Sequence, residues 1–355
     1  MESKFEEKES MLYERFEGRK VKCNVCGRRC LIPNGSIGFC RVRKNREGTL
    51  ISMNYGILCS AIVDPIEKKP LSHFYPGSSV LSIATVGCNF RCKFCDNWTI
   101  SQETEISGSH LKPEEVVKLA KEYDCQGISY TYTEPAVFFE YAYDTAKLAH
   151  AQGLFNTFVT NGYLTPEAVK AIAPFLDAAT VDFKGGGDPD FYKSLSAVPE
   201  VDPIYECLLE MKRNRIHIEI TNLVVPKYGD SLDRIRELVI WIKENLGVDT
   251  PFHLLRFHPD YQLTDAPSTP IKTLEEACEE AMNAGLNYVY IGNVPGHRYE
   301  NTYCPNCKEL LVERFGFEIN RWRLKENNAC PKCGFGIAIK GIFKLRSGWY
   351  HYSVI

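Results

Sequence analysis

Three cysteines stand close together in a C-x3-C-x2-C pattern: Cys88, Cys92 and Cys95. Iron–sulfur clusters are held by cysteine thiolates, and a cubane cluster bound entirely by protein needs four of them. Three thiolates from one loop therefore leave one iron open, and an open position is where a metal site does chemistry. A zinc knuckle or buried free thiols are the alternatives, but zinc prefers four ligands in paired C-x2-C units. The spacing favours a reactive iron–sulfur cluster.

A second group of cysteines lies near the N-terminus, where Cys23, Cys26, Cys30 and Cys40 fall within eighteen residues. Four thiolates complete a tetrahedral metal site, and so small a segment needs such a staple because it has too little core to fold alone. Ligand type does not separate zinc from a second iron–sulfur cluster, and zinc is the preferred interpretation. Cys30 is the least secure ligand, and the group could recruit a residue from elsewhere.

A third group lies in the tail, where Cys304-Pro-Asn-Cys307 and Cys330-Pro-Lys-Cys333 form two C-P-x-C units. Strand-like pieces lie between them. Paired C-x2-C units of this kind predict a structural zinc ribbon, with an electron-transfer cluster as the alternative.

Composition bounds the class of protein. The chain has 355 residues, 44% of them hydrophobic and 25% charged, as in an ordinary soluble globular protein. A net charge of −3 gives no basic field for nucleic acid or an anionic membrane, and no apolar run is long enough to span a bilayer. The charged N-terminus is unlike a signal peptide, so we expect a cytoplasmic protein. In a reducing compartment, fifteen cysteines favour metal binding over disulfides.

Apolar stretches rich in β-branched residues alternate with helical patterns from residue 80 onward. The predicted strands are residues 80–86, 127–131, 155–160, 178–183, 216–225, 252–257 and 288–291, and the predicted helices are residues 113–122, 136–151, 165–173, 203–214, 231–244 and 271–284. Such alternation implies βα units around a parallel sheet. We therefore predict an α/β fold.

The predicted architecture has three parts. A partial or near-complete TIM-like βα barrel covers residues 80–300. Residues 1–79 contain the N-terminal cysteine-rich segment, which begins with a short amphipathic helix over residues 1–20. Residues 301–355 form the zinc-ribbon-like extension.

The ends of the predicted strands are polar. In a βα barrel the chemistry lies at these carboxyl ends, which here carry Thr131–Pro135, Thr160–Gly162, Asp182–Gly187, Glu219 with Thr221, Arg256–Asp260 and Gly292–His297. One such segment alone is typical of a helix cap or a turn. Six at the same rim predict a binding site.

The cysteine spacing, with aromatic Phe94 directly before the last cysteine, resembles the radical S-adenosylmethionine (SAM) superfamily. In that superfamily the open iron is chelated by the amino and carboxylate groups of SAM. One electron from the [4Fe–4S] cluster then breaks the sulfur–C5′ bond, giving methionine and a 5′-deoxyadenosyl radical. The resemblance implies that Phe94 packs near the adenine.

The rim also resembles SAM sites. Thr131–Pro135 is similar to the glycine-glycine-glutamate-proline motif that holds the SAM ammonium, with Tyr132 and Thr133 in place of the glycines and Glu134 kept. Pyruvate formate-lyase activating enzymes and their relatives have SAM contacts at matching positions. The further residues implied to bind the cofactor are Thr160, Asn161, Asp182, Lys184, Thr221 and His258. Among them, Lys184 would hold the carboxylate and Asp182 a ribose or a positive centre.

The span from about Cys23 to Cys333 resembles more closely the radical SAM member of the "AmmeMemoRadiSam" system. The marks of this resemblance are the N-terminal cysteine group, Asp64–Pro70, Phe257–Tyr261, Gly292–His297 and the two terminal Cys-Pro-x-Cys units. That resemblance implies Memo-like and AMMECR-type proteins as partners. Two features depart from the activases. Val159 stands where they usually carry an acid, and the Asp-Gly-Pro-Gly-x-Arg signature of glycyl-radical activases is absent.

The sequence thus predicts a radical SAM enzyme that receives electrons from a ferredoxin or flavodoxin and removes hydrogen from an unidentified substrate. The alternatives are an activase for a glycyl-radical partner protein and a non-catalytic iron–sulfur or zinc protein. Five residues are candidates to face the substrate, or else barrel packing: Gln126, Tyr130, Glu219, Arg256 and His297.

Overall fold

The N-terminal segment is built of short antiparallel strands. The computed structural model describes residues 8–343 and 352–355. Its first seven strands are β1 (Lys8–Glu9), β2 (Tyr13–Phe16), β3 (Lys20–Cys23), β4 (Leu31–Ile32), β5 (Arg43–Arg46), β6 (Thr49–Ser52) and β7 (Ile57–Leu58). Strands β2, β3 and β4 form one sheet, and β1, β6 and β5 form another.

The helix predicted over residues 1–20 is wrong for residues 8–20, and residues 1–7 lie outside the described part of the chain. Strand β2 instead pairs antiparallel with β3, which ends at Cys23. Gly18, at a φ of +67°, supplies the left-handed turn between the two strands. The backbone hydrogen-bonding groups of this segment are therefore paired across strands, and the segment does not pack as an amphipathic helix.

A nine-stranded sheet forms the body of the molecule. The next strands are β8 (Ser60–Pro65), β9 (Ser79–Ala84), β10 (Ser109–His110), β11 (Gly127–Tyr130), β12 (Phe155–Thr160), β13 (Ala178–Lys184), β14 (His217–Val224), β15 (Phe252–Arg256) and β16 (Val289–Gly292). The tail adds β17 (Thr302–Tyr303), β18 (Leu310–Phe315), β19 (Glu318–Trp322) and β20 (Tyr352–Ser353).

Seven of these strands are parallel. The order across the sheet is β16-β15-β14-β13-β12-β11-β9-β8-β20, with every neighbouring pair from β9 to β16 parallel. Strand β8 runs antiparallel to β9, and β20 antiparallel to β8. All seven predicted strands are confirmed in place, and so is the α/β fold class. In the described residues β16 and β20 are the edges of this sheet, so the barrel is partial.

Helices connect the parallel strands. They are α1 (Trp98–Ser101), α2 (Pro113–Glu122), α3 (Phe139–Ala151), α4 (Pro166–Ile172), α5 (Pro189–Leu195), α6 (Asp202–Arg213), α7 (Leu232–Asn245) and α8 (Ile271–Asn283). Proline at the first or second position starts α2, α4, α5 and α6, where its missing N–H costs nothing. Helix α5 is absent from the sequence prediction. None of the helices in the described residues is long and apolar enough to cross a membrane.

The tail forms a small antiparallel sheet, β17-β18-β19, beside the open side of the barrel. His73 joins the two: its Nδ1 lies 3.0 Å from the carbonyl of Ala338, and its Nε2 lies 2.5 Å from the hydroxyl of Tyr290 in β16. Arg314 of β18 donates to the carbonyl of Ser72 in the same loop. The loop that connects β8 to β9 therefore anchors the tail.

A buried ion pair joins the N-terminal segment to α3. The guanidinium of Arg43 donates to both carboxylate oxygens of Glu140, at 3.0 and 2.8 Å, and both side chains are nearly inaccessible to water. Glu140 also accepts from the backbone N–H of Met11, and Arg43 donates to the hydroxyl of Ser10. A buried charge is tolerated only while its partner and hydrogen bonds are in place.

We expect Glu140→Ala to destabilise the protein by about 3–5 kcal/mol, because it leaves the buried guanidinium of Arg43 without its counter-charge. The matched control is Glu167→Ala, which breaks the half-exposed pair of Glu167 with Arg29 between the same segment and α4. That change should cost less than about 1 kcal/mol. Chemical denaturation of both variants measures the difference, and equal losses would contradict the assignment.

Candidate active site

One cavity of about 690 Å³ opens at the carboxyl ends of the parallel strands. It is lined by all thirteen residues predicted to bind the cluster or SAM, namely Cys88, Cys92, Phe94, Cys95, Tyr132, Thr133, Glu134, Thr160, Asn161, Asp182, Lys184, Thr221 and His258. They come from the loops after β9 and β11, from the end of β12 and the residue that follows it, from the carboxyl-terminal halves of β13 and β14, and from the loop after β15. Because parallel strands end at one edge, residues far apart in the chain meet here.

The cysteine loop is held in shape by its neighbours. Phe90 is buried, and its ring packs against the ring of Tyr163 at 5.2 Å. Arg91 donates to the carbonyls of Cys88 and Phe90, each at 2.8 Å. These contacts turn the chain so that the three thiols, at positions 88, 92 and 95, line the cavity rather than the surface.

The thiols fit a group larger than a single ion. Burial raises the pKa of Cys88 well above its usual value and that of Cys92 to about 11, so both lie in a poorly hydrated site. The described residues contain one compact set of ligand atoms, all within 4.8 Å of one another, and it belongs to the tail. Cys88, Cys92 and Cys95 do not form such a set, and three buried thiol donors from one loop suit an iron–sulfur cluster better than one tetrahedral ion.

Lys184, at the end of β13, brings a positive charge to this cavity. Its Nζ lies 3.6 Å from a carboxylate oxygen of Asp182, whose other oxygen accepts from the hydroxyl of Thr221. Burial lowers the pKa of Lys184, but Asp182 and the nearby thiols outweigh it, so the pKa lies above its usual value. The ammonium is thus available for an anionic group beside the cysteines.

Glu134 ties two neighbouring strands together at the rim. Its Oε1 accepts from the N–H of Ala136 at 3.1 Å and from the hydroxyl of Thr160 at 2.8 Å, and its Oε2 accepts from the N–H of Asn161 at 2.8 Å. Burial raises the pKa of Glu134 to about 7, although these hydrogen bonds and Lys184 oppose the shift. The carboxylate fixes the shape of the rim, and its occupied hydrogen-bonding capacity limits any direct contact with a ligand.

Tyr132 shows how the chain departs from the glycine-containing motif. Its φ is +62°, a left-handed conformation that normally favours glycine. The side chain is anchored, because its hydroxyl donates to Asp64 and its ring lies 4.4 Å from the ammonium of Lys69. Lys69 is itself paired with Asp64 at 2.7 Å. Contacts with the Asp64–Pro70 loop thus hold the strained backbone in place.

Several cavity residues were not predicted as site residues. Lys68 and Lys69 of the Asp64–Pro70 loop line the cavity. So do Asp96, which directly follows Cys95, and Phe317 of the tail. Burial lowers the pKa of Lys69 to about 8, although Asp64 opposes the shift. The sequence signal for the two lysines was the loop itself, with its paired prolines and lysines. Nothing local signals Phe317, which reaches the site through packing of the tail.

The candidate substrate-facing residues fall in different places. Arg256 lines the cavity. Glu219 is buried, and its carboxylate takes part in four hydrogen bonds. They involve the side chains of His217 and His253 and the backbone N–H groups of Ser72 and His73. The other three are used elsewhere: Gln126 bonds to Ser79 and Asp124, Tyr130 to Asn156, and His297 to Glu275.

The tail cysteines are arranged differently from those of the active site. The sulfurs of Cys304, Cys307, Cys330 and Cys333 all lie within 4.8 Å of one another, with 3.6 Å between Cys304 and Cys333 and 3.7 Å between Cys307 and Cys330. A zinc–sulfur distance of about 2.3 Å gives about 3.8 Å between tetrahedral sulfurs. The tail thus contains a four-cysteine site of the size of one metal ion.

Comparison with known proteins identifies the superfamily. Residues 82–242 match the family described as "Radical SAM superfamily". The matched span runs from β9 into α7, so it contains the three cysteines and the rim up to Thr221. The chain belongs to the radical SAM superfamily. This membership implies a [4Fe–4S] cluster and SAM as cofactors, which the donor set at the rim fits.

Two curated proteins of Methanocaldococcus jannaschii are similar to this chain. "Uncharacterized protein MJ0808" is 48% identical over 335 residues, covering 94% of this chain and 99% of that protein. "Uncharacterized protein MJ0674" is 25% identical over 282 residues, or 75% of each chain. Among solved structures, a radical SAM methyltransferase from Sphaerobacter thermophilus aligns at 18% identity and a TM-score of 0.49, over 62% of this chain and 68% of that chain. The likeness to MJ0808 extends beyond the radical SAM span at both ends.

The raised pKa of Glu134 predicts a pH-dependent stability. Its folded-state pKa of about 7 lies above the usual 4.5. The native state therefore holds an extra proton between these values, and stability falls as pH rises from about 4.5 to 7, by on the order of 3 kcal/mol. In Glu134→Gln the dependence of the unfolding free energy on pH should weaken, by up to the contribution of one titrating proton. Denaturation at a series of pH values measures both slopes, and an unchanged slope in the variant would refute the assignment.

Proposed function

We propose that this protein is a radical SAM enzyme that cleaves SAM reductively, releasing methionine and a 5′-deoxyadenosyl radical that removes hydrogen from a substrate. The observation that supports this best is the single cavity that joins three spread thiols to Lys184 and the polar rim. When bound at Cys88, Cys92 and Cys95, the cluster supplies one electron and an open iron position.

The residues of the rim have distinct tasks in this proposal. Lys184 binds the SAM carboxylate, because its ammonium lines the same cavity as the three thiols. Its Nζ lies 3.6 Å from the nearer carboxylate oxygen of Asp182, a contact long enough to leave the ammonium able to bind a second anion. The backbone of Tyr132 and Thr133, held by Glu134 and the Asp64–Lys69 pair, receives the amino group. Asp182 and His258 face the ribose and adenine. Phe94, packed against Phe191 at 5.5 Å, supplies an apolar wall.

A second cavity of about 770 Å³ offers a place for the substrate. It lies between the barrel and the tail, and Leu255, Asn293 and Phe317 line both cavities. A substrate there would lie next to the SAM site, within reach of a radical formed at that site. His253 and Arg314 are among its polar lining residues.

The finer identity is part of the same proposal. The three cysteine groups, the Asp64–Pro70 loop and the His258-Pro-Asp sequence support the radical SAM member of the AmmeMemoRadiSam system, with Memo-like and AMMECR-type proteins as partners and a ferredoxin or flavodoxin as electron donor. The compact tail site supports bound zinc. Activation of a glycyl-radical protein is less well supported because the activase signature is absent from the sequence.

Anaerobic reconstitution with iron and sulfide, followed by dithionite and SAM, should give 5′-deoxyadenosine and methionine in equal amounts, measured by liquid chromatography with mass spectrometry. The triple variant Cys88→Ala/Cys92→Ala/Cys95→Ala should give neither, because it removes the thiolates that hold the open cluster. An iron-loaded wild-type protein that leaves SAM intact, or a triple variant as active as the wild type, would overturn the proposal.

Lys184→Met should raise the KM for SAM by about 10- to 100-fold, since a charge-assisted hydrogen bond contributes about 1.5–3 kcal/mol. The matched control is Lys93→Met, which removes an exposed ammonium from the cysteine loop itself. The control should leave the KM within about twofold. If both variants behave alike, Lys184 does not bind the SAM carboxylate.

A further inference from the structure

The N-terminal cysteines surround a space of their own. Cys23, Cys26, Cys30 and Cys40 all line one small cavity, together with Arg28, Arg43 and Asn89. The cavity has a volume of about 20 Å³, more than the roughly 10–15 Å³ that one water needs. Four thiols that line one small cavity offer the donor set of a metal group.

The spread of these sulfurs separates the two candidate metals. The tail sulfurs lie 3.6–3.7 Å apart, close to the roughly 3.8 Å that tetrahedral zinc requires. Within the described residues the tail is the compact set, with all its ligand atoms within 4.8 Å of one another, and the N-terminal four do not form such a set. A cubane cluster places each thiolate on a different corner and therefore needs the wider spacing.

Asn89 provides an independent observation. It is fully buried, lines the N-terminal cavity, and its Nδ2 has no hydrogen-bond partner. Its orientation is fixed: Asn161 accepts from Tyr163 N–H through Oδ1, so its Nδ2 must be the donor to Asn89 Oδ1, at 2.7 Å. A buried unpaired N–H is costly, and the sulfurs of a cluster are acceptors that would satisfy it.

The two cysteine groups are in direct contact through their loops. Arg28 donates to the carbonyl of Asn89, the residue after Cys88, at 2.5 Å. Arg91 donates to the carbonyl of Cys88 at 2.8 Å and to that of Phe39, the residue before Cys40, at 2.5 Å. A Cβ added to Gly87 would lie 3.1 Å from the carbonyl of Cys40. Groups bound at the two sites would be close neighbours.

We propose that Cys23, Cys26, Cys30 and Cys40 bind a second iron–sulfur cluster, in place of the zinc favoured by the sequence, and that it relays electrons to the open cluster. A reduced ferredoxin or flavodoxin gives one electron to the second cluster, which passes it to the cluster at Cys88, Cys92 and Cys95. SAM finally accepts that electron as its sulfur–C5′ bond breaks. The relay rests on the proposed function, whereas the presence of the cluster does not.

The presence of the cluster is tested in the Cys88→Ala/Cys92→Ala/Cys95→Ala variant, reconstituted anaerobically. It should retain about four irons and four sulfides per chain, half the wild-type content, and give an electron paramagnetic resonance signal on reduction. Loss of all iron with about two zinc ions per chain would overturn the proposal. Because this variant has no open cluster, the result does not depend on SAM cleavage.

Asn89 gives a second measurement in that same background. Asn89→Asp keeps the acceptor for Asn161 but removes the N–H and adds negative charge, so the midpoint potential of the remaining cluster should shift downward. The matched control is Asn222→Asp, since Asn222 is equally buried with an unpartnered Nδ2 but bonds Gly186 outside this cavity. A potential unmoved by Asn89→Asp, or moved equally by both, would contradict the proposed contact.

The relay is tested with Cys26→Ala/Cys40→Ala, which removes two of the four ligands. Formation of 5′-deoxyadenosine should fall at least tenfold with reduced flavodoxin as donor and persist with dithionite, which can reduce the open cluster directly. Equal rates with flavodoxin in variant and wild type would refute the relay. Wild-type protein that carries both clusters but leaves SAM intact would instead refute the proposed function and leave the second cluster standing.

Discussion

The parallel alignment of seven strands is the constraint on which the rest of the structure depends. A parallel pair cannot be joined by a tight hairpin, so the chain returns along the outside of the sheet after each strand. All carboxyl ends then meet at one edge, where Cys88 and His258 line the same cavity although 170 positions separate them. The loops at that edge are free to carry polar residues because the strands and helices supply the core.

Burial at this edge sets the electrostatics of the site. Thiols at Cys88 and Cys92 resist ionisation there, Glu134 tends to keep its proton, and Lys184 keeps its charge through Asp182 and the thiols. A metal group that takes up the thiolates supplies the charge compensation that the protein alone does not. The same dry surroundings strengthen each hydrogen bond and salt bridge to a bound ligand.

Much of this could be predicted from the sequence, because the relevant signals are local. Strand periods, helix-starting prolines and cysteine spacings each depend on a few neighbouring residues. The failures are tertiary. Within residues 8–20, β1 and β2 are strands because β6 and β3 offer them partners. Glu219 is hydrogen-bonded to histidines from its own and a neighbouring strand and to backbone N–H groups of a distant loop. Phe317 reaches the cavity only through docking of the tail on the barrel's open side.

The cysteine groups show what spacing leaves undetermined. The tail units and the N-terminal group share the C-x2-C spacing and the same ligand atoms, yet their sulfurs spread differently. In the tail, antiparallel pairing of β18 with β19 brings the two C-P-x-C units together. Near the N-terminus the cysteines frame a cavity whose wall is partly the barrel: Asn89 comes from the cluster loop, and Arg43 is fixed by Glu140 of α3. The size of the N-terminal site therefore depends on how the N-terminal segment packs against the barrel. Because Asn89, which directly follows Cys88, lines that cavity, the two cysteine sites share a wall.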